Sequence, residues 1–237
     1  MRPGIRSWLF VSLKKAELEM ANQSSAEGQV IPEAEPAVAA IIFGNHMNQA
    51  RKYAELLIRD GDMLGLIGPR ELPKLWSRHI LNSAVVAEYV SAGQKVADIG
   101  SGAGLPGIPM AIVSPDTEFV LIEPMERRAT WLAEVAIPEI GLQNVKVLRG
   151  RAEEAPLANY DVATARAVSA LPKLLKMLVP LVVPGGQILA LKGSRAGEEI
   201  EESRPLAKRM KISNFEVLTA GAKTLEEPTT IVRVTLL

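Results

Sequence analysis

A short run near the middle of the chain carries an acid followed by alternating glycines. It reads Val96-Ala97-Asp98-Ile99-Gly100-Ser101-Gly102-Ala103-Gly104 and is apolar where it begins. Glycine lets the backbone adopt angles that a side chain forbids, so a ligand can come close to the main chain. The helix expected next begins with unpaired N–H groups. The pattern predicts a buried strand that ends in a ligand-binding loop, with Asp98, Gly100 and Gly102 at the ligand.

The spacing of the glycines separates the ligand classes. A dinucleotide loop has the spacing G-x-G-x-x-G, whereas here the glycines run G-x-G-x-G and Leu105 stands at the last dinucleotide position. The carboxylate of Asp98, just ahead, suits the amino or cationic end of a ligand better than a pyrophosphate. These features favour S-adenosylmethionine as the cofactor and a methyltransferase as the enzyme. A dinucleotide loop and a purely structural turn remain the alternatives.

Further carboxylates lie where later strands are expected to end. Glu123 ends the second expected strand, where an acid can accept both hydroxyl groups of a ribose. The alternative is a solvated acid at a strand end. Ala152 and Glu153 follow the third expected strand and are placed to flank an adenine. Glu153 could equally be a first-turn acid favoured by the helix dipole.

The residue types that the chain lacks limit which chemical group can be the methyl acceptor. Carbon-5 pyrimidine methylation commonly needs an enzyme thiolate, and the chain has no cysteine. The loop at 164–169 lacks the Asn/Asp-Pro-Pro-aromatic motif often used on exocyclic amines, and it lacks a carboxylate cluster for a metal. A ring nitrogen with a free lone pair, such as guanine N7, needs no such help. We expect catalysis by orientation, no metal site, and a rate that is flat across roughly pH 6–9.

Basic residues fit an RNA acceptor. Because the carboxyl ends of parallel strands share one edge of a sheet, several cations should surround one opening there. The candidates for contact with RNA or with the transferring methyl group are Arg78, His79, Arg127, Arg166 and Lys192. The alternative is a solvated charged surface and, for His79, a hydrogen-bonded structural role.

Strand-like and helical stretches alternate after residue 93, as is typical of parallel β-α-β units. Strands are expected at 95–99, 118–123, 145–149, 161–165 and 187–192, and helices at 105–113, 125–135, 171–182 and 197–209. Strands at 215–218 and 230–236 have no helix between them, which predicts an antiparallel C-terminal edge. Apolar spacing predicts earlier helices at 37–59 and 71–90. The expected fold is therefore α/β, Rossmann-like with a mostly parallel sheet. We divide it into a flexible tail (1–35), a helical cap (36–92) and a methyltransferase domain (93–237).

Composition limits the remaining possibilities. The 237 residues include 27 basic and 27 acidic side chains, for a net charge of zero, so binding to RNA must rest on a local basic patch. The absence of cysteine excludes a disulfide framework and fits a reducing cytoplasm. No apolar run approaches the roughly 20 residues that span a bilayer. We expect a cytoplasmic protein, monomeric and without a membrane partner.

Four motifs resemble one known family. They are Arg78-His79-Ile80-Leu81-Asn82-Ser83, the loop with its extension Gly104-Leu105-Pro106-Gly107-Ile108-Pro109, Thr164-Ala165-Arg166-Ala167, and Leu191-Lys192-Gly193. Together they are similar to ribosomal RNA small-subunit methyltransferase G, also called glucose-inhibited division protein B. The likeness covers roughly residues 37–237. Asn82 stands where the family often has Asp, and Glu123-Pro124 stands where other members often have Asp-Ser.

The resemblance implies a class I S-adenosylmethionine-dependent methyltransferase with an N-terminal helical cap. It implies methylation at N7 of a guanine in the decoding-region loop of bacterial 16S rRNA, within the small ribosomal subunit. The family's cofactor contacts fall here on Gly100, Leu105, Ala152, Glu153 and Arg166. By the same analogy, Arg166 and Lys192 would act at the reacting groups.

Three other functions stay open from the residues alone. A small-molecule methyltransferase would need an apolar acceptor pocket rather than a basic one. A sensor would bind S-adenosylmethionine without chemistry. A dehydrogenase would bind NAD instead.

Overall fold

The computed structural model describes residues 30–155, 157 and 159–237. In that part of the chain, seven strands form one sheet in the order β3-β2-β1-β4-β5-β7-β6. The strands are Lys95–Ile99 (β1), Glu118–Glu123 (β2), Val145–Arg149 (β3), Tyr160–Arg166 (β4), Val182–Leu191 (β5), Ile212–Ala220 (β6) and Thr229–Leu236 (β7). β7 runs antiparallel to β5 and β6, and the pairings among β1 to β5 are parallel. The predicted α/β class and its mostly parallel sheet are confirmed. The antiparallel strand lies one place in from the edge.

The central strands are buried because helices cover both faces of the sheet. Side chains alternate between the faces along a strand. On β2, Phe119 and Leu121 pack into one hydrophobic core, whereas Val120 and Ile122 pack into the other. An almost unbroken apolar run is what a parallel strand with two covered faces requires.

The described helices connect the strands as expected. The α-helices are Val38–Phe43 (α1), Met47–Asp60 (α2), Asn82–Ala84 (α3), Gly107–Val113 (α4), Glu126–Trp131 (α5), Ile137–Ile140 (α6), Leu171–Leu178 (α7) and Ala196–Ser203 (α8). The helix predicted at 171–182 is shorter, because β5 already begins at Val182. None of the described helices is long and apolar enough to cross a membrane.

The helices before β1 pack against the core beside the glycine-rich loop. On α2, Ala50, Tyr53, Ala54 and Leu57 are buried at a spacing of three to four residues, which lines them along one helix face. The Tyr53 hydroxyl donates to the carbonyl oxygen of Ala103 at 2.9 Å. Residues 32–237 form one compact unit, and the division into a cap and a methyltransferase domain stays a prediction.

Most of the predicted flexible tail, 1–35, lies outside the described residues. Two glutamates at its end make defined contacts. Glu33 accepts hydrogen bonds from the backbone N–H and the hydroxyl of Ser77. Glu35 forms an ion pair with Arg51 at 2.7 Å. This last part of the predicted tail is therefore held against the helices.

The predicted helix at 71–90 is not one regular helix. A 3₁₀ helix at Pro69–Lys74 meets a π-helix at Leu75–Leu81, and α3 and a second 3₁₀ helix, Val85–Tyr89, follow. We call these four pieces together the 69–89 segment. The break falls at Lys74, whose φ of −129° and ψ of 24° are not helical. Pro73 directly precedes the break and has no N–H to donate, so one helical hydrogen bond is missing there.

Asp98 lies inside the sheet, under the start of α4. Its side chain is fully buried, and its Oδ2 accepts a hydrogen bond from the N–H of Gly107 at 3.0 Å, where α4 begins. Its Oδ1 has no hydrogen-bond partner among the described residues. Burial raises the pKa of this carboxyl to about 7. The alternation along β1 points the Asp98 side chain under α4, and its predicted contact with the cofactor stays a prediction.

The buried Asp98 carboxyl makes stability depend on pH. Its pKa is higher in the folded chain than in the unfolded chain, so folding binds a proton, and its stabilising contribution is lost as the pH rises from about 4 towards 7. We expect the melting temperature of D98N to fall less between about pH 5 and 8 than that of the wild type, because the amide oxygen still accepts from Gly107 but does not titrate. Thermal unfolding followed by circular dichroism measures both slopes.

The matched control is D161N, since Asp161 also accepts from a backbone N–H, that of Lys95 at 2.7 Å. It should keep the wild-type slope. Equal slopes for D98N and the wild type would contradict the assignment of this titration to Asp98.

Candidate active site

One cavity opens where the strand order of the sheet reverses. β2 and β3 lie on one side of β1, and β4 and β5 lie on the other. In such sheets, ligands bind beyond the carboxyl ends of the strands at this switch point. The cavity there has a volume of about 510 Å³, within the roughly 300–1,000 Å³ typical of small-molecule sites. Its walls include Leu66, Ile67, Gly68, Glu71, His79, Gly100, Ser101, Gly102, Leu105, Glu123, Met125, Arg128, Arg166, Ala167 and Val168. We call it the first cavity.

The glycine-rich loop forms one wall of the first cavity. Gly100 and Gly102 have φ angles of 67° and 57°, in the left-handed region that favours glycine. A Cβ atom added at Gly100 would lie 3.1 Å from the side chain of Val168 across the opening. The loop therefore needs glycine for two reasons: its backbone angles favour glycine, and a side chain at Gly100 would fill space in the cavity.

Glu123 lies at the end of β2 and is only 3% exposed. Its Oε2 accepts from the N–H of Gly102 and its Oε1 accepts from the N–H of Met125, each at 2.8 Å. These two bonds fix the carboxylate against the loop. A carboxylate has about four acceptor positions, so capacity remains for two ribose hydroxyl groups. The fixed carboxylate, the glycine wall and the volume together fit the adenosyl part of S-adenosylmethionine.

The predicted cofactor residues separate into two groups. Gly100, Gly102, Leu105, Glu123 and Arg166 line the first cavity. Ala152 and Glu153, in the 3₁₀ helix Ala152–Glu154 after β3, are not among its lining residues. Ala152 is buried in a hydrophobic core and Glu153 is exposed. Their role beside an adenine stays a prediction.

Arg166 ends β4 and lies on the wall of two cavities. The second cavity has a volume of about 540 Å³ and shares Arg166 and Ala167 with the first. Its other lining residues are Arg78, Asn82, Leu191, Lys192, Gly193, Ser194, Pro228, Thr229 and Thr230. Ala167 has a φ of 55°, which is uncommon for a residue other than glycine and is typical of functional sites. The two cavities meet at this strained turn.

His79 is placed differently from its predicted contact with RNA. It is 7% exposed, and both ring nitrogens have partners: Nε2 lies 2.8 Å from Oε2 of Glu71, and Nδ1 lies 2.5 Å from Nη2 of Arg166. No ring nitrogen is left to bind a base. The structure favours the hydrogen-bonded structural role for His79, against Glu71 and Arg166, and its contact with RNA stays a prediction.

Lys192 is also engaged within the protein. Its side chain is 9% exposed, and its Nζ lies 2.8 Å from both Oε2 of Glu199 and the carbonyl oxygen of Ser169. The same carboxylate accepts from the N–H of Leu171 at the start of α7. The structure places Lys192 in an ion pair that joins α8 to the turn after β4, on the wall of the second cavity, and its catalytic and RNA-binding roles stay predictions. Sequence spacing could not show this ion pair, because the partner lies on another element.

The other two basic candidates are exposed. The side chain of Arg78 is 59% exposed and lines the second cavity, with a weak ion pair to Glu71 at 3.7 Å. Arg127 is exposed but lines neither cavity. Its neighbour Arg128 lines the first cavity and donates from Nη2 to the carbonyl oxygen of Gly65 at 2.6 Å. Contact of Arg78 and Arg127 with RNA stays a prediction.

Sequence reasoning did not single out Glu71 or the stretch 66–68, which line the first cavity, and it noted Arg128 only as a basic residue beside Arg127. Glu71 had no signal of its own, since an acid on a predicted helix is common. Arg128 differs from Arg127 only in which helix face it occupies. The stretch 66–68 lies in a loop between helices, where no periodicity marks it.

Comparisons with known proteins agree with this geometry. A family model described as GidB, rRNA small subunit methyltransferase G, matches residues 46–228. The ribosomal RNA small subunit methyltransferase G of Pseudarthrobacter chlorophenolicus is 50% identical over 205 residues, covering 86% of this chain and 94% of that protein. The protein of the same name from Mycolicibacterium gilvum is 48% identical over 201 residues, covering 83% of this chain and 88% of that one.

Solved structures are similar in fold at low sequence identity. A putative S-adenosylmethionine-dependent methyltransferase from Methanococcus maripaludis has a TM-score of 0.53 at 14% identity, covering 71% of this chain and 92% of that chain. TYW2 from M. jannaschii, in complex with AdoMet, has a TM-score of 0.51 at 20% identity, covering 68% and 76%. The predicted class I methyltransferase fold is confirmed, and the cofactor is S-adenosylmethionine. With its glycine loop, its fixed Glu123 and these relatives taken together, the chain belongs to the GidB family of rRNA small subunit methyltransferases G.

Proposed function

We propose that this enzyme transfers a methyl group from S-adenosylmethionine to N7 of a guanine in the decoding-region loop of 16S rRNA. The observation that carries the proposal is the meeting of two cavities at Arg166 and Ala167. The first fits the cofactor, and the second opens directly beside it. A methyl group at the junction would lie within reach of a base held in the second cavity.

The lining of the second cavity suits an acceptor that loses no proton. Among the described residues that line it there is no Asp, Glu or His. His79, the nearest imidazole, has both ring nitrogens engaged. When bound, S-adenosylmethionine supplies a methyl group activated by its sulfonium. The lone pair of guanine N7 forms the new N–C bond as the C–S bond breaks, and no base is needed. The chain's own contribution is then alignment.

Charge favours RNA over a small apolar acceptor. The described residues that line the second cavity include Arg78, Arg166 and Lys192 and no acidic side chain. A phosphate backbone is attracted to such a surface. Because Lys192 is paired with Glu199, the attraction rests on Arg78 and Arg166. The net charge of the whole chain is zero, so this attraction is local, and the small ribosomal subunit is a better substrate than naked RNA. We further propose that the enzyme acts as a monomer in the cytoplasm.

Small subunits from a strain lacking the gene test the function. Incubation with the purified protein and labelled S-adenosylmethionine should methylate one guanine, and guanine-N7 cleavage mapping should place it in the decoding-region loop. Naked 16S rRNA is the comparison substrate. A site that is already methylated in the deletion strain, or label at another position, would overturn the assignment.

Glu123 provides a test of the cofactor site. We expect E123Q to bind S-adenosylhomocysteine at least about tenfold more weakly, because hydrogen bonds to a charged group contribute roughly 1.5–3 kcal/mol. Isothermal titration calorimetry measures the Kd. The matched control is E118Q at the other end of β2, where Glu118 forms an ion pair with exposed Lys146, and it should bind as the wild type does. An unchanged Kd in E123Q would contradict the proposed contact between Glu123 and the ribose.

Arg78 provides a test of the RNA surface. We expect R78A to bind the small subunit more weakly and to lower the slope of log K against log salt by about one, the contribution of one phosphate contact. R204A is the control, because the Arg204 side chain is 58% exposed and also faces a glutamate, Glu201, but lines neither cavity. Filter binding between about 50 and 200 mM salt gives both slopes. Equal slopes in R78A and the wild type would contradict a contact between Arg78 and an RNA phosphate.

A further inference from the structure

The guanidinium of Arg166 is held between the two cavities by neutral groups. Its Nη1 donates to the carbonyl oxygen of His79 at 3.4 Å and to the hydroxyl of Ser83 at 3.3 Å. Its Nη2 lies 2.5 Å from Nδ1 of His79. Within the described residues, Arg166 forms no ion pair with a carboxylate. Its charge is therefore oriented without being neutralised by direct contact.

The chemistry of these groups fixes the tautomer of His79. A guanidinium can only donate, so Nδ1 must accept and carries no proton. The ring proton of neutral His79 is then on Nε2, which donates to Oε2 of Glu71 at 2.8 Å. The result is a chain from the Glu71 carboxylate through a neutral imidazole to the Arg166 guanidinium. We call this chain of three residues the relay.

The break in the 69–89 segment makes the relay possible. In a regular α-helix, residues eight apart are separated by about 12 Å along the axis, at 1.5 Å per residue. The change from the 3₁₀ helix to the π-helix at Lys74 folds Glu71 back onto His79 instead. Leu75, Ile80 and Leu81 anchor the π-helix in the core. The irregular segment thus brings a carboxylate to a histidine that faces the end of β4.

The charges around His79 keep it neutral. Burial and the cation of Arg166 lower the pKa of His79, and Arg78 acts in the same direction, while Glu71 opposes them. Burial also lowers the pKa of Arg166, and Tyr53, Glu71 and Asp98 raise it. Protonation of His79 would remove the acceptor at Nδ1 and place a second cation against Arg166. The relay therefore operates above the pKa of His79, which lies below the ordinary value of 6.5.

We propose that Glu71 and His79 are positioning residues that hold the Arg166 guanidinium in register with the reacting groups at the junction of the two cavities. This inference rests on the proposed function, because it concerns the methyl transfer that takes place at that junction. Two of the five N–H groups of Arg166 have no partner among the described residues and are available to ligands. Without the relay the Arg166 cation stays at the junction, but its guanidinium is no longer held in one orientation.

Four variants of the full chain test the relay. E71Q removes the charge at its outer end. H79N keeps an acceptor near the Nδ1 position but loses the donor to Glu71, and E71Q/H79N combines the two. E139Q is the matched control, because Glu139 is 35% exposed, close to the 38% of Glu71, and also pairs with cationic side chains. Circular dichroism establishes that each variant is folded.

Three measurements are made on each variant: the Kd for S-adenosylhomocysteine, the rate of methyl transfer to small subunits at saturating cofactor, and the dependence of that rate on pH. We expect E71Q and H79N to slow transfer at least about tenfold, while the Kd rises less than about threefold, because orientation and not binding is lost. The double variant should be no slower than the slower single variant, since both break one chain. The wild-type rate should fall at acid pH, below the ordinary histidine range, and H79N should lack that fall.

The outcomes separate the relay from the proposed function. If the wild type transfers no methyl group to small subunits although it binds S-adenosylhomocysteine, the proposed function fails. If the wild type is active and E71Q and H79N behave as E139Q does, the relay is overturned. Additive losses in the double variant, or an acid fall that persists in H79N, would also overturn it.

Discussion

The parallel pairing of β1 with β4 is the constraint on which the site depends. Asp98 lies opposite Thr164 in that register, so the two strands end side by side, although more than sixty residues of chain lie between them. The glycine loop follows β1 directly, and Arg166 is the last residue of β4. Crossover helices on both faces leave the carboxyl ends open at the point where the strand order reverses. The glycine loop, which forms a wall of the cofactor cavity, and the Arg166 cation, which lines the acceptor cavity, are thereby brought to one crevice.

Three of the ionisable side chains near this crevice differ in how their charge is compensated. Lys192 is compensated directly by Glu199, which makes it part of the framework. Asp98 forms no ion pair among the described residues, and burial raises its pKa to about 7. Arg166 is compensated at a distance through His79, so its charge remains available to a ligand. The third arrangement leaves a cation that a ligand can contact, because Arg166 is only partly buried and has no carboxylate partner among the described residues.

Much of the fold could be predicted from the chain alone. Alternating apolar runs and amphipathic stretches located all seven strands and most helices, because each element must bury a face at its own period. The glycine loop and Glu123 were predicted at the cofactor for similarly local reasons: backbone freedom at Gly100 and Gly102, and an acid at a strand end. The boundaries were less certain. The helix predicted to Val182 overran the start of β5, since apolar residues serve both elements equally well.

The sequence by itself determined the strand–loop–helix cradle, the class of cofactor, and the absence of a thiol or of an acidic motif in the loop after β4. These features depend on residues that are close neighbours in the chain. The partners of the long polar side chains were decided only by the tertiary structure. Lys192 meets Glu199 and His79 meets Arg166 because separate elements pack together, and Glu71 reaches His79 because the helix breaks at Lys74. Spacing along a chain fixes which backbone groups can be neighbours, but the direction of a buried side chain is fixed by what packs against it.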